Sequence, residues 1–476
     1  SIFFKNFMKI LLTLLLLIPS LCFSNNINYK DWIIKKPNLL FIDKDQLTKK
    51  INNNAKTIFD NYSNKFIEES GKTQWGCRYN KYNVYDVTQL SLSPIDENNY
   101  WHYIEHIGAF PIHYWCETVL RTSKSISNSK SIYRSDEWKN DRDEKLKSFY
   151  NDLVKNKWLL NLPKPSNDDQ IAYEIGVYLT SVLFTYTLIE EDLPKDLQKN
   201  FESQINKLIQ KYDYAQNESI VGELSVNSNH GFYYFNFKMA ASIILNDNKM
   251  FQDSISYFLK AMKANTTETG LFKLDSQRGE CALHYNYHGL QPVMSMLWNL
   301  KLQGYDLFQV KLTDNHTIEQ IIEAVYLASI DTNLFFDHQK KYEKEFEKKY
   351  GNQKTEERKI NYYQSCWVKD INKEQAAKRI DENGMMRTQS DSGWISIYEA
   401  IFGKQKAERF KNIEAGWWWN TEKYPSTNSY LMKDLSQVDS NLSIGGIAYI
   451  IYQDNFPKIE YETVTYQKVT FDDLEF

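Results

Sequence analysis

Fifteen consecutive residues, Ile175–Ile189, carry no charge, and glutamates bracket the run on both sides. As a helix the run is about 22 Å long at ~1.5 Å per residue, shorter than the ~20 residues that a bilayer span needs. A segment this apolar has to bury all of its faces in protein. Ile175–Ile189 is therefore expected as a core helix enclosed by other helices, which the rest of the chain must supply.

Helical patterning recurs over about 45–70, 100–121, 142–160, 168–191, 195–214, 231–246, 250–264, 281–303, 316–330 and 394–410. The links are short and polar, Asn246-Asp247-Asn248 for example, and no strand-like alternation interrupts the series. Short links make neighbouring helices antiparallel. At 476 residues the chain exceeds the roughly 250–300 at which single cores split. Stacked helix pairs are the way one core keeps growing. The expected fold class is all-α: an incomplete α/α toroid of antiparallel helix pairs, a single domain over 25–476. Ile459–Phe471 departs from the pattern, being β-branched and aromatic with partial alternation, and predicts a short β-rich C-terminal tail. The charged stretch 338–359 mixes its signs and suits a solvated helix with Glu/Lys pairs.

Met8–Ser24 reads as a leader, with Lys9 at its start, an apolar run over Ile10–Ile18 and a cleavage site before Asn25. The signal peptide is thus expected over 1–24 with its start at Met8. The mature protein is expected to be periplasmic or secreted, without a membrane segment. Losing Lys5 and Lys9 takes the net charge from −4 to −6, which argues against nucleic acid as a partner. Four cysteines then remain in an oxidising compartment, Cys77, Cys116, Cys281 and Cys366, with three connectivities open. Cys77–Cys116 is favoured because it would pin an N-terminal loop to a helix. No Cys/His spacing suits zinc, so no metal is expected. Aromatic residues make up 15% of the chain, with 33 Tyr and 12 Trp. That usage suits a groove for sugar rings as well as a helical core.

Two stretches carry chemistry. In Arg278-Gly-Glu-Cys-Ala-Leu-His-Tyr285-Asn-Tyr-His288, Arg278 and Tyr285 are two helical turns apart and share a face, with Ala282 leaving that face open. Some fifty residues upstream, Asn229-His230-Gly231 follows Asn227 and Ser228, either of which can cap the helix that begins there. That places Asn229 and His230 at the positive end of a helix, where donors face an anion. Together these residues suit removal of a proton next to a carboxylate. Asn229, His230 and Arg278 can neutralise the carboxylate while negative charge develops on it. Tyr285 can carry the proton, since a guanidinium nearby favours the phenolate. His230 is the alternative base, titrating near the working pH. His284, His288, Tyr233, Tyr287 and Trp101 are expected as core residues rather than ligands.

Asn229-His230 followed by Arg278-Gly-x-x-Ala-Leu-x-Tyr285 resembles the alginate lyases of polysaccharide lyase family 5. The resemblance is strongest over 70–300. It implies an α/α toroid, cleavage of mannuronate-rich alginate by β-elimination without a cofactor, and an anionic polysaccharide as the partner of a monomer. It implies catalytic roles for Tyr285, His230, Asn229 and Arg278, and Cys77 and Cys116 look like the family's N-terminal disulfide. Two features differ from the family pattern: Ser228 stands where an asparagine is usual, and Gly231 follows the histidine. Two other functions fit a toroid. A glycoside hydrolase would need paired carboxylates, with Glu105, Glu174, Glu223 and Glu280 as candidates. A non-catalytic glycan binder would use Trp417–Trp419 as a stacking platform.

Overall fold

The computed structural model describes residues 29–49, 135–162, 168–213, 226–277, 282–330 and 394–403, with short fragments at 52–53, 104, 107–108, 111, 334–335, 337–338, 341, 388–389 and 415–416. The leader, the favoured Cys77–Cys116 bridge, Cys281 and Cys366, Arg278, Glu105, Glu223, Glu280, Trp417–Trp419 and the β-rich tail lie outside the described residues.

Among the described residues the α-helices are α1 (Ser135–Lys155), α2 (Asp168–Ile189), α3 (Lys195–Lys211), α4 (Asn229–Leu245), α5 (Asn248–Asn265), α6 (Ala282–Leu302), α7 (Ile318–Ile330) and α8 (Trp394–Phe402). The strands found among the described residues are two-residue pieces, Thr388–Gln389 and Ala415–Gly416, paired in parallel. Among the described residues the all-helical class holds, with neighbouring helices packed on one another. The uncharged run forms most of α2, and Ile175, Leu179, Val182, Leu183, Phe184 and Ile189 are buried, as expected. Ile171–Asp192 is long and apolar enough to cross a membrane, yet 83% of its apolar window is buried inside the molecule. Its solvent is the rest of the protein.

The centre of the array is α4, which packs against α2, α3, α5 and α6. Every residue from Gly231 to Ile244 is buried, so this helix is enclosed on all sides. Its ends are set locally. The Ser228 hydroxyl accepts from the His230 N–H at 3.3 Å, which settles the cap on Ser228. At the other end Asn246 adopts φ 50° and ψ 42° and stops the helix. Asp247 then caps α5, accepting from the Met250 N–H at 3.0 Å. The α4–α5 hairpin is thus closed by a two-residue link.

Glycine permits the closest crossing. A Cβ at Gly176 of α2 would lie 2.4 Å from the carbonyl carbon of Tyr233 in α4, so the two backbones meet with no side chain between them. Across the far end of the array runs an N-terminal strap over 29–47. Trp32 stacks on Tyr305 with centroids 4.2 Å apart. Side chains of α6 and the turn after it satisfy the strap's backbone: Asn299 accepts from the Phe41 N–H, Trp298 donates to the Phe41 carbonyl, and Gln303 accepts from Lys35 and Lys36. This loop has no ladder of its own, and α6 supplies its partners.

Replacing Gly176 by Ala forces α2 and α4 apart and is expected to cost about 1–3 kcal/mol of stability. Chemical denaturation checks it; an unchanged midpoint would show that the crossing can relax without loss.

Candidate active site

The first turn of α4 and the first turns of α6 meet at an aromatic cluster. His230 stacks on Tyr173 of α2, with ring centroids 4.2 Å apart and planes 24° from parallel. Tyr173 sits one turn before Gly176, so the close crossing of α2 and α4 brings its ring over the start of α4. The Tyr173 hydroxyl shares a 2.7 Å hydrogen bond with Nε2 of His288. The Tyr233 hydroxyl shares a 3.2 Å bond with Nδ1 of the same ring. A neutral imidazole has one donor and one acceptor nitrogen, so one tyrosine donates to His288 and the other accepts from it. His288 is buried at 7% exposure and presents its ring edge-on to Tyr285, with centroids 6.4 Å apart. His230, Tyr173, His288 and Tyr285 thus form a continuous contact path from α4 through α2 to α6. His288 is held by both nitrogens inside the wall, and Tyr287 is fully buried against Trp394.

Asn229 faces the other way. Its side chain is fully buried, and Nδ2 donates to Oδ1 of Asp275 at 2.5 Å. This differs from the exposed donor that the sequence suggested. The immediate partner of Asn229 is a carboxylate of the protein itself. Gly231 has a local cause as well: a Cβ there would lie 1.8 Å from the carbonyl oxygen of Val226. The glycine after the histidine lets the preceding turn fold back onto α4.

The turn that leads to Arg278 is held by asparagines. Asn265 of α5 accepts from the Leu274 N–H at 2.8 Å and donates to Oδ2 of Asp275 at 3.4 Å. Asn286 of α6 accepts from the Phe272 N–H at 3.0 Å and donates to the Ser276 hydroxyl at 3.0 Å. Tyr173, Asp275, Asn265 and Asn286 carried no sequence signal of their own. Tyr173 and Asn286 lie inside helical stretches, and Asn265 and Asp275 are ordinary polar residues at and after a helix end. Among the described residues no three His, Cys, Asp or Glu side chains converge as a metal site would need.

Residues 122–335 match the family model described as Alginate lyase, and Asn229, His230, Arg278 and Tyr285 all fall inside that span. Over that span the chain is similar to the proteins of that family. A polysaccharide lyase of Stenotrophomonas maltophilia (strain K279a) is 23% identical over 173 residues, 36% of this chain. The chain spans about half the length of that relative. Among solved structures, alginate lyase A1-III from Sphingomonas species A1 is similar with a TM-score of 0.49 and 13% identity, covering 82% of this chain and 95% of that one. A variant of A1-III complexed with tetrasaccharide gives a TM-score of 0.49 at 13% identity, with 82% and 94% covered.

Tyr173→Phe keeps the ring under His230 and removes the 2.7 Å bond to His288. It is expected to cost about 1 kcal/mol in urea unfolding, the net worth of one hydrogen bond. Tyr173→Leu, which also loses the stack, is expected to cost more. Equal losses would show that the stack adds nothing.

Proposed function

We propose that this alginate lyase-like protein is a polysaccharide lyase that cleaves mannuronate-rich alginate, or a related 4-linked glycuronan, by β-elimination. The observation that carries the reading is the contact path that joins the start of α4, at His230, to the start of α6, at Tyr285, within the span matched to the family. A histidine and a tyrosine brought to one wall from two helices can share the proton traffic of an elimination.

In that reaction a base removes the C5 proton, its electron pair forms the C4=C5 double bond, and the C4–O4 bond breaks as O4 takes up a proton. The C5 carboxylate has to be neutralised while charge builds on it. Arg278 supplies the positive charge and His230 a hydrogen bond or the base. Tyr285 carries the proton, taking it from C5 and returning one to O4 where both lie on the same face of the sugar. Asn229 assists from behind, holding the turn that bears His230, since its own amide is buried against Asp275. Stacking on Tyr173 limits the imidazole of His230 to one plane, which orients its nitrogens before substrate arrives. The protein is proposed to act outside the cytoplasm as a monomer on an anionic chain. Paired-carboxylate hydrolysis is the weaker reading, because none of Glu105, Glu174, Glu223 and Glu280 forms a recognisable pair with the other residues of the site.

Incubation with poly-mannuronate is expected to produce the ultraviolet absorbance of a 4,5-unsaturated uronate end. Reducing ends without that absorbance would point instead to a hydrolase. Tyr285→Phe is expected to lower turnover by about 10²–10⁴-fold, the usual worth of a proton-transfer group, with the circular dichroism spectrum unchanged. Retained turnover would remove Tyr285 from the mechanism.

A further inference from the structure

We propose that Asp275 is a positioning residue for this site: its buried carboxylate ties the first turn of α4 to the turn 272–277, which Asn286 of α6 also holds, and so sets His230 and Tyr285 relative to each other. The proposal rests on the lyase reading above. The geometry has three parts, one on each helix around the turn 272–277. From α4, Asn229 donates to Oδ1 of Asp275 at 2.5 Å. From α5, Asn265 donates to Oδ2 at 3.4 Å and accepts from the Leu274 N–H. From α6, Asn286 accepts from the Phe272 N–H and donates to Ser276. All three asparagines and Asp275 are fully buried.

Each bond has an effect at the site. Asn229 is the residue before His230, and Asn286 is the residue after Tyr285. The same turn therefore anchors the immediate neighbours of both candidate proton-transfer residues and, three residues past Asp275, continues into Arg278. Asp275 is the part of the turn that hydrogen-bonds to α4, where the Phe272 ring also packs on Phe232. A carboxylate suits the position because it offers acceptors on two sides at once, one for α4 and one for α5. An amide offers a single acceptor oxygen and cannot reproduce both bonds. Charge-assisted hydrogen bonds are also roughly twice as strong as neutral ones, which favours a carboxylate where one rotamer must be held. At the turn's other edge, α6 passes close: a Cβ at Gly289 would lie 3.7 Å from Cβ of Asn229. A small movement of Asn229 would therefore be felt on both helices.

The full-length chain tests this through a mutant cycle on poly-mannuronate, reading kcat and KM separately with thermal unfolding alongside. Asp275→Asn is expected to lower kcat on the order of 10–100-fold, the scale for a misplacement near 1 Å, with KM within threefold. In an Asn229→Ala background the same change is expected to lower kcat no further, since Asp275 acts through Asn229. Asn299→Ala removes the acceptor of the Phe41 N–H under the N-terminal strap and leaves the 272–277 turn and its bonds in place. It is expected to lower the unfolding temperature with kcat within threefold of wild type. Should Asp275→Asn not accumulate as folded protein, Asp275→Glu enters the same cycle, because it keeps the charge and both oxygens and displaces them by one methylene. The inference is overturned by an unchanged kcat in the Asp275 variant, by independent losses in the Asn229→Ala background, or by Asn299→Ala losing kcat to the same degree. A wild-type chain that releases no unsaturated product from any uronate polymer overturns the lyase reading and this inference with it. An active wild type with any of the other three results overturns this inference alone.

Discussion

The structure depends on the complete burial of α4. A helix with no solvent-facing side forces its neighbours to surround it, and α2, α3, α5 and α6 do so. Burial on every side also sets the terms for polar groups. Any polar atom on α4 must find its partner inside the protein or leave a costly unsatisfied group. Lys238 meets this demand through a 2.8 Å ion pair with Asp213, both nearly fully buried. Asn229 meets it for its Nδ2, which donates to Asp275, while its Oδ1 has no partner among the described residues. The start of α4 is where burial relaxes, with His230 only partly covered, and the candidate site lies there.

Two glycines set how near the surrounding elements come. At Gly176 the backbones of α2 and α4 touch, which delivers Tyr173 to the first turn of α4. At Gly231 the chain entering α4 folds back so far that its Val226 carbonyl occupies the space of a Cβ. The departure from the family pattern after His230 is therefore a local packing requirement. It says nothing against the chemistry of the histidine beside it.

Much of the fold was legible because it rests on patterns confined to single segments. The uncharged run gave α2, the Asn246-Asp247 link gave the α4–α5 hairpin, and a capping residue before Asn229 gave the start of α4, one residue from where it could be fixed by sequence alone. The candidate site was legible only in part. Arg278, His230 and Tyr285 have side-chain chemistry that stands out in any context. Tyr173 and Asp275 become visible only when helices far apart in the chain are brought together, since each draws its meaning from a partner at least 46 residues away. His288 is the reverse case. It is conspicuous in the sequence, and the structure gives both its nitrogens to tyrosines in the wall.

The pair Asn229-His230 shows why a motif should not be read as one unit. Successive residues on a helix point about 100° apart, so two adjacent side chains can be drawn to different partners. Asn229 turns inward to Asp275 while His230 turns to Tyr173. The same division occurs on α6, where Asn286 binds the 272–277 turn and Tyr285, beside it, faces His288. Each motif thus divides into an anchoring amide and a titratable ring. The amides converge on one buried turn and the rings on one aromatic wall, so the distance between the rings is set by a network that neither ring belongs to.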